Sequence, residues 1–155
     1  MNRKETAHWI EYWTEWDESQ FLPSEDADAE TCFHWVTEFF PDLLIFHPVN
    51  ESGGGRNPQY EQKLNAMGRV KGIMDYILLE PFGPYPHAVI ELKRRNKKKS
   101  RLKPEQKEQL ERARRKGAFC AVCWGPDAFK ACIHELMMLK SAHVHETMKG
   151  KDNAD

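Results

Sequence analysis

Two acidic residues and a lysine stand where charge is expensive. Asp75 interrupts the apolar run Ile73-Met74-Asp75-Tyr76-Ile77-Leu78-Leu79, and Glu91 and Lys93 close the run Ala88-Val89-Ile90-Glu91-Leu92-Lys93. A carboxylate in an apolar strand costs free energy unless it is paired or holds a cation. Side chains alternate along a strand, so Glu91 and Lys93 project from one face. If the 73–79 and 87–93 strands pair as a hairpin, Asp75 comes near the Glu91 end. Two carboxylates and one ammonium then converge at a sheet edge. That set suits metal-assisted hydrolysis: hard oxygen ligands bind Mg²⁺ or Mn²⁺, and the ion polarises a phosphoryl oxygen and helps ionise the attacking water. The ammonium orients that water or stabilises charge in the transition state. The same D-x₁₅-E-x-K spacing also allows a structural ion pair between these carboxylates and Lys93 or a neighbouring arginine.

The elements that must position these groups follow from periodicity. Residues 1–22 carry Trp9, Trp13 and Trp16 at i, i+4 and i+7, which predicts a helix with one aromatic side. That side packs on the domain's own core or, in the alternative, on a second subunit. Ser24 or Asp26 can cap a second helix carrying Cys32, Phe33, Val36, Phe39 and Phe40, which Pro41 ends. The run 43–50 predicts a strand, followed by a loop rich in Gly and Asn. Glu61 to Met67 forms a short helix that Gly68 ends. Strands follow from Gly72 and over 87–93, then a charged loop over 94–103. Pro104 opens a helix to about Lys116, 118–124 is a fourth strand, and a last helix runs to about Leu139. The expected order is α-α-β-β-β-α-β-α. This gives an α/β domain over 25–140 with a mixed four-stranded sheet flanked by helices, an aromatic segment over 1–24, and a frayed, flexible tail over 141–155.

The charge is unevenly spread. The 155 residues carry a net charge of −1, yet residues 93–116 alone carry thirteen bases and three acids. Such a block attracts phosphates even in a near-neutral protein, unless it is simply a solvated face. No window approaches the length of a membrane helix, and the acidic amino terminus does not read as a secretory signal. Four cysteines in a chain of this size suit a reducing cytoplasm. Cys120 and Cys123 point to opposite faces if they lie on a strand, so they are core residues rather than a zinc pair. His47 precedes Pro48 near the proposed site. His34 and Trp124 are expected to be structural, and His143 and His145 fall in the tail.

The stretch GIMDYILL…HAVIELKRR…SRLKPEQKEQLERARRKGAFCAVCWG resembles the VRR-NUC domain, a branch of the PD-(D/E)XK nuclease superfamily. Gly72-Ile73-Met74-Asp75 is similar to the family's Gly-x-Pro-Asp strand, with Met74 in place of proline. Ile90-Glu91-Leu92-Lys93 matches its I-E-x-K strand. Pro104-Glu105-Gln106 is similar to its helix start, with Lys103 where Ser is usual. Phe46 to Asn50 and Leu64 to Gly68 resemble the approach to the aspartate strand. The resemblance spans roughly residues 28–137.

The resemblance implies a restriction-endonuclease-like core and a divalent-metal-dependent endonuclease. Glu30 on the first helix, Asp75, Glu91 and the carbonyl of Leu92 would surround Mg²⁺ or Mn²⁺, with Glu38 as the alternative helix residue. Lys93 would attend the nucleophilic water and Gln106 the water or scissile phosphate. Arg94, Arg95, Lys97, Lys98, Lys99, Arg101 and Lys103 would flank the phosphodiester, and Arg56 and Lys63 would form the other wall. Stand-alone members resemble junction-cleaving homodimers. A branched or flapped DNA substrate, such as a Holliday junction, a product with a 5′-phosphate and a phage or prophage setting follow as expectations. Two other functions fit the same residues. One is a catalytically degenerate DNA-binding module, and the other is an interaction domain turning the basic block toward an acidic partner.

Overall fold

A computed structural model describes residues 1–48 and 58–152, with side chains to residue 142. The chain begins with a hairpin. Strand β1 (Asn2–Glu5) pairs antiparallel with β2 (Ile10–Trp13). Thr6 turns it, its hydroxyl donating to the Trp9 carbonyl at 2.7 Å and accepting from the Trp9 N–H at 3.0 Å. The expected N-terminal helix is therefore corrected to two strands. Ile10 and Tyr12 enter one core while Trp9 and Trp13 pack on the other face, which is the period of a strand.

Helix α1 (Glu25–Phe39) follows, capped by Ser24, whose hydroxyl accepts from the Ala27 N–H at 3.1 Å. Short β3 (Ile45–Phe46), α2 (Pro58–Ala66), β4 (Tyr76–Leu78) and β5 (Ala88–Lys93) come next. Then come α3 (Pro104–Arg115), β6 (Phe119–Trp124) and α4 (Pro126–Asp152). The last helix does not end near Leu139, and the segment expected to fray is helical as far as Asp152.

The sheet has six strands, not four, in the order β1-β2-β6-β5-β4-β3. Strand β6 lies parallel to both β2 and β5, and the other pairs are antiparallel. Helices α1 and α4 cover one face over a core that includes Tyr12, Tyr76, Ile90, Leu92, Phe129 and Ile133. Helix α3 covers part of the other, over Met74, Val89, Leu110, Val122 and Trp124. Cys123 belongs to the first core and Cys120 to the second, and both are free thiols, as expected of i and i+3 on a strand. Among the described residues no helix is long and apolar enough to cross a membrane.

Candidate active site

Strands β4 and β5 set Tyr76 against Ile90. One step further in the same register, Asp75 stands opposite Glu91. Asp75 Oδ2 accepts from the Leu92 N–H at 2.7 Å, tying the residue to β5 just where β4 begins. The Asp75 carbonyl can only accept, so His47 Nδ1, 2.6 Å away, carries the proton of that bond.

Glu91 is fully buried on the face that α3 covers. Its Oε1 accepts from Lys93 Nζ at 2.6 Å and from Gln106 Nε2. Its Oε2 is also buried and has no partner among the described residues. An orphaned carboxylate oxygen in the interior is costly. Burial, and next the Asp75 carboxylate, push the Glu91 carboxyl up to about 8. Burial also raises Asp75, against the Leu92 N–H and Lys93. For Lys93 burial opposes the charge, but the Glu91 carboxylate more than offsets it and the ammonium is held above its usual range.

Gln106 is held in place by backbone. Its Oε1 accepts from the Lys103 N–H at 2.9 Å, a capping box at the start of α3. Gly72 lets this turn approach. It adopts φ +75°, and a Cβ there would lie 2.6 Å from the carbonyl carbon and oxygen of Glu105.

The helix carboxylate nearest the lysine is Glu25, not the expected Glu30. Glu25 Oε1 lies 4.0 Å from Lys93 Nζ, and burial raises its carboxyl. Glu30 is exposed in a groove with Phe33, Phe46 and His47, and Glu38 is exposed beside His34. The signal for Glu25 was its place in the first turn after the Ser24 cap. That end of α1 meets the end of β5.

Four of the seven cations expected on the phosphodiester have partners within the chain. Arg94 donates to the carbonyls of Pro23 and Leu22, at 3.1 and 3.2 Å. Arg95 binds buried Asp28. Lys97 reaches Glu11 at 2.7 Å and sits over the rings of Trp13 and Trp124. Lys99 pairs with Glu18 at 2.9 Å. These four, expected on the phosphodiester, instead hold the acidic N-terminal segment against the sheet. Lys98, Arg101 and Lys103 have no ion pair among the described residues. Lys103 shares a cleft with Lys71, Gly72 and Gln106. Lys63 is exposed on α2, and Arg56 lies outside the described residues.

Among the described residues no three His, Cys, Asp or Glu side chains gather as a ready cation cage. The oxygen donors brought together are the carboxylates of Asp75 and Glu91. That suits a hard ion such as Mg²⁺, which keeps several waters and takes one or two protein carboxylates.

No protein-family model matches the sequence, and no curated protein matches it. Among solved structures, one described as a "VRR_NUC domain protein" is similar, with a TM-score of 0.61, 23% identity, 77% of this chain covered and 92% of the other. Over most of its length, then, this chain has the fold of a structure described as a VRR_NUC domain protein, with Asp75, Glu91, Lys93 and Gln106 drawn to one end of its sheet.

Proposed function

We propose that the chain is a divalent-metal-dependent nuclease that hydrolyses phosphodiester bonds in DNA. One observation carries this: Glu91 is buried beside Asp75 with one oxygen held by Lys93 and Gln106 and the other without a partner among the described residues. Asp28 Oδ2 is likewise buried without a partner among the described residues in its pair with Arg95. What distinguishes Glu91 is that its free oxygen comes with a second carboxylate, Asp75, which raises the Glu91 carboxyl, the pairing a cation site needs.

In this proposal Asp75, Glu91 and the Leu92 carbonyl hold the ion, and the helix carboxylate is Glu25, which stands beside Lys93 rather than on the ion. A bound Mg²⁺ or Mn²⁺ supplies Lewis acidity toward a phosphoryl oxygen and acidifies water. The chain's own groups do the rest. Glu91 and Glu25 hold Lys93 charged and in place, so that its ammonium faces the attacking water and the developing negative charge. Gln106, fixed by the Lys103 N–H, orients Glu91 and stays within reach of a phosphate. Lys63, Lys98, Arg101 and Lys103 take the DNA backbone, since none of them is in an ion pair among the described residues.

A junction or flap substrate and a homodimer belong to the same proposal, because a junction presents symmetry-related strands to a two-fold pair of sites. The aromatic residues Trp9 and Trp13 are spent on the chain's own sheet, so they no longer favour a dimer contact. The degenerate-binder alternative shares the basic block with the nuclease reading and differs from it in predicting no metal dependence.

Purified protein is mixed with a four-way junction, a flap and a plain duplex in Mg²⁺, Mn²⁺ or EDTA. Cleavage of at least one DNA with either metal, abolished by EDTA, is expected. Glu91→Ala and Lys93→Ala lower cleavage by orders of magnitude and leave salt-sensitive binding largely intact. No cleavage under any of these conditions refutes the proposal. Sedimentation at micromolar concentration reads the dimer.

A further inference from the structure

The sheet face that carries Glu91 is covered by α3 only in part. Toward β4 a groove of about 670 Å³ runs between the sheet and the second half of α3. Its floor is aliphatic: Val70, Ile73, Ile77, Leu79, Val89 and Ala113. Leu79 is 54% exposed and Val70 40%. A contiguous exposed apolar surface in a soluble domain marks a contact site more often than isolated exposed residues do.

The rim has one sign. Arg112, Arg115 and Lys116 lie along it at i, i+3 and i+4 of the α3 end, with His87 opposite. None of the three has a carboxylate partner among the described residues, and Arg112 makes only a bond to Gln109, at 3.0 Å. The contrast with Arg95, Lys97 and Lys99 is direct. Those cations are matched by acids of this chain, and these are not.

The occupant must therefore be anionic at its edges and apolar in its middle. A single nucleic-acid strand meets the first condition. Such strands, however, are held on aromatic platforms where bases stack, and this floor has no aromatic ring. Branched aliphatic side chains at helical spacing fit it better, as in an amphipathic helix laid in a groove. The groove adjoins the catalytic residues without containing them: Met74 precedes Asp75 and Val89 is two residues before Glu91, and none of Asp75, Glu91, Lys93 and Gln106 lines it.

We propose that this groove docks an acidic amphipathic helix of a partner protein, with leucine-like residues on the 73–79 floor and Asp or Glu against Arg112, Arg115 and Lys116. This does not depend on whether the chain cuts DNA.

The probe is a fluorescein-labelled 16-residue helical peptide of leucine and glutamate, patterned to give one apolar face, beside a scrambled isomer of the same composition. Anisotropy is read with the full chain in EDTA at moderate salt. The patterned peptide is expected to bind at least tenfold more tightly than its isomer. Leu79→Asp, and Arg115→Glu with Lys116→Glu, each weaken it at least tenfold. All three positions are exposed, and circular dichroism verifies that the variants fold. Equal binding of both isomers, or variants that bind as well as the parent, overturns the proposal. Displacement by an equimolar 16-nucleotide thymidine strand also overturns it, giving the groove to nucleic acid. Self-association that Leu79→Asp abolishes does the same, giving it to a second copy.

Discussion

Arg95 grips Asp28 at two points, its Nε at 2.9 Å and its Nη2 at 2.8 Å from the same Oδ1, and Asp28 is fully buried in the first turn of α1. Gly125 makes room for this arginine, because a Cβ there would lie 2.6 Å from Arg95 Cγ. Beside it Arg94 holds the carbonyls of Leu22 and Pro23. Glu25 lies between these two anchors. Consecutive arginines after Lys93 thus fix the end of α1 that brings Glu25 to the lysine.

Breaking this pair leaves an uncompensated buried charge. Arg95→Ala is expected to cost about 3 kcal/mol of folding stability, read by urea denaturation. Asp28→Asn costs less, because no charge is stranded in the interior. If Arg95 touched phosphate instead, its removal would lower the salt slope of DNA binding by about 1. The slope is expected to stay unchanged for Arg95→Ala and to fall for Lys98→Ala and Lys103→Ala.

Glu91 gives a pH dependence of defined sign. Its carboxyl titrates near 8 in the folded protein, against 4.5 for the ordinary group. The folded state therefore holds this proton more tightly, and the stabilisation is complete below about pH 4.5 and lost as pH rises through about 8. Metal-free protein is expected to lose more stability between pH 5 and pH 8 than Glu91→Gln does, by on the order of 2 kcal/mol. Urea midpoints at the two pH values read it. Mn²⁺ competes with the same proton, so its affinity rises over this interval, which titration calorimetry measures.

The helix carboxylate is tested by comparing three glutamates. Glu25→Gln is expected to lower cleavage by roughly 10- to 100-fold, the scale of a group that positions a catalytic residue. Glu30→Gln and Glu38→Gln stay within about twofold of the parent. Single-turnover rates on the best-cleaved DNA decide it, and a large loss at Glu30 with none at Glu25 reverses the assignment.

Gly72 is expected to tolerate no side chain. Gly72→Ala forces a positive φ on alanine and drives its methyl into the backbone of Glu105. Displacement of the α3 start carries Gln106 away from Glu91. Stability falls by about 1–3 kcal/mol, and cleavage falls with it. Gln106→Ala reproduces the loss of cleavage without most of the loss of stability.

Much of the site was legible in the sequence because a strand's alternation is local. Glu91, Leu92 and Lys93 needed only the period of two, and Asp75 needed only the hairpin. The Cys120 and Cys123 placements followed in the same way, whereas Gln106 came only from the resemblance of Pro104-Glu105-Gln106 to the family's helix start. The N-terminal strands were not legible because the interval from Trp9 to Trp13 satisfies both a helical and an alternating pattern. What decides between them is β6, far along the chain, which offers β2 a parallel partner. The choice of Glu25 over Glu30 depended on where α1 ends against β5, a tertiary fact. The basic loop misled for a related reason. A run of lysines and arginines looks the same whether its acids come from a ligand or from Glu11, Glu18 and Asp28 of the same chain.

The pairing of β2 with β6 joins Ile10 to Ala121, about 110 residues apart in the chain. On the ribosome the first hairpin emerges with its apolar side bare and no neighbour to add to. At ~5–20 residues per second that wait lasts on the order of ten seconds. Until the fifth and sixth strands have left the exit tunnel, Trp9, Ile10 and Tyr12 are open to chaperones and to other nascent chains, and this hairpin is made long before it is secured.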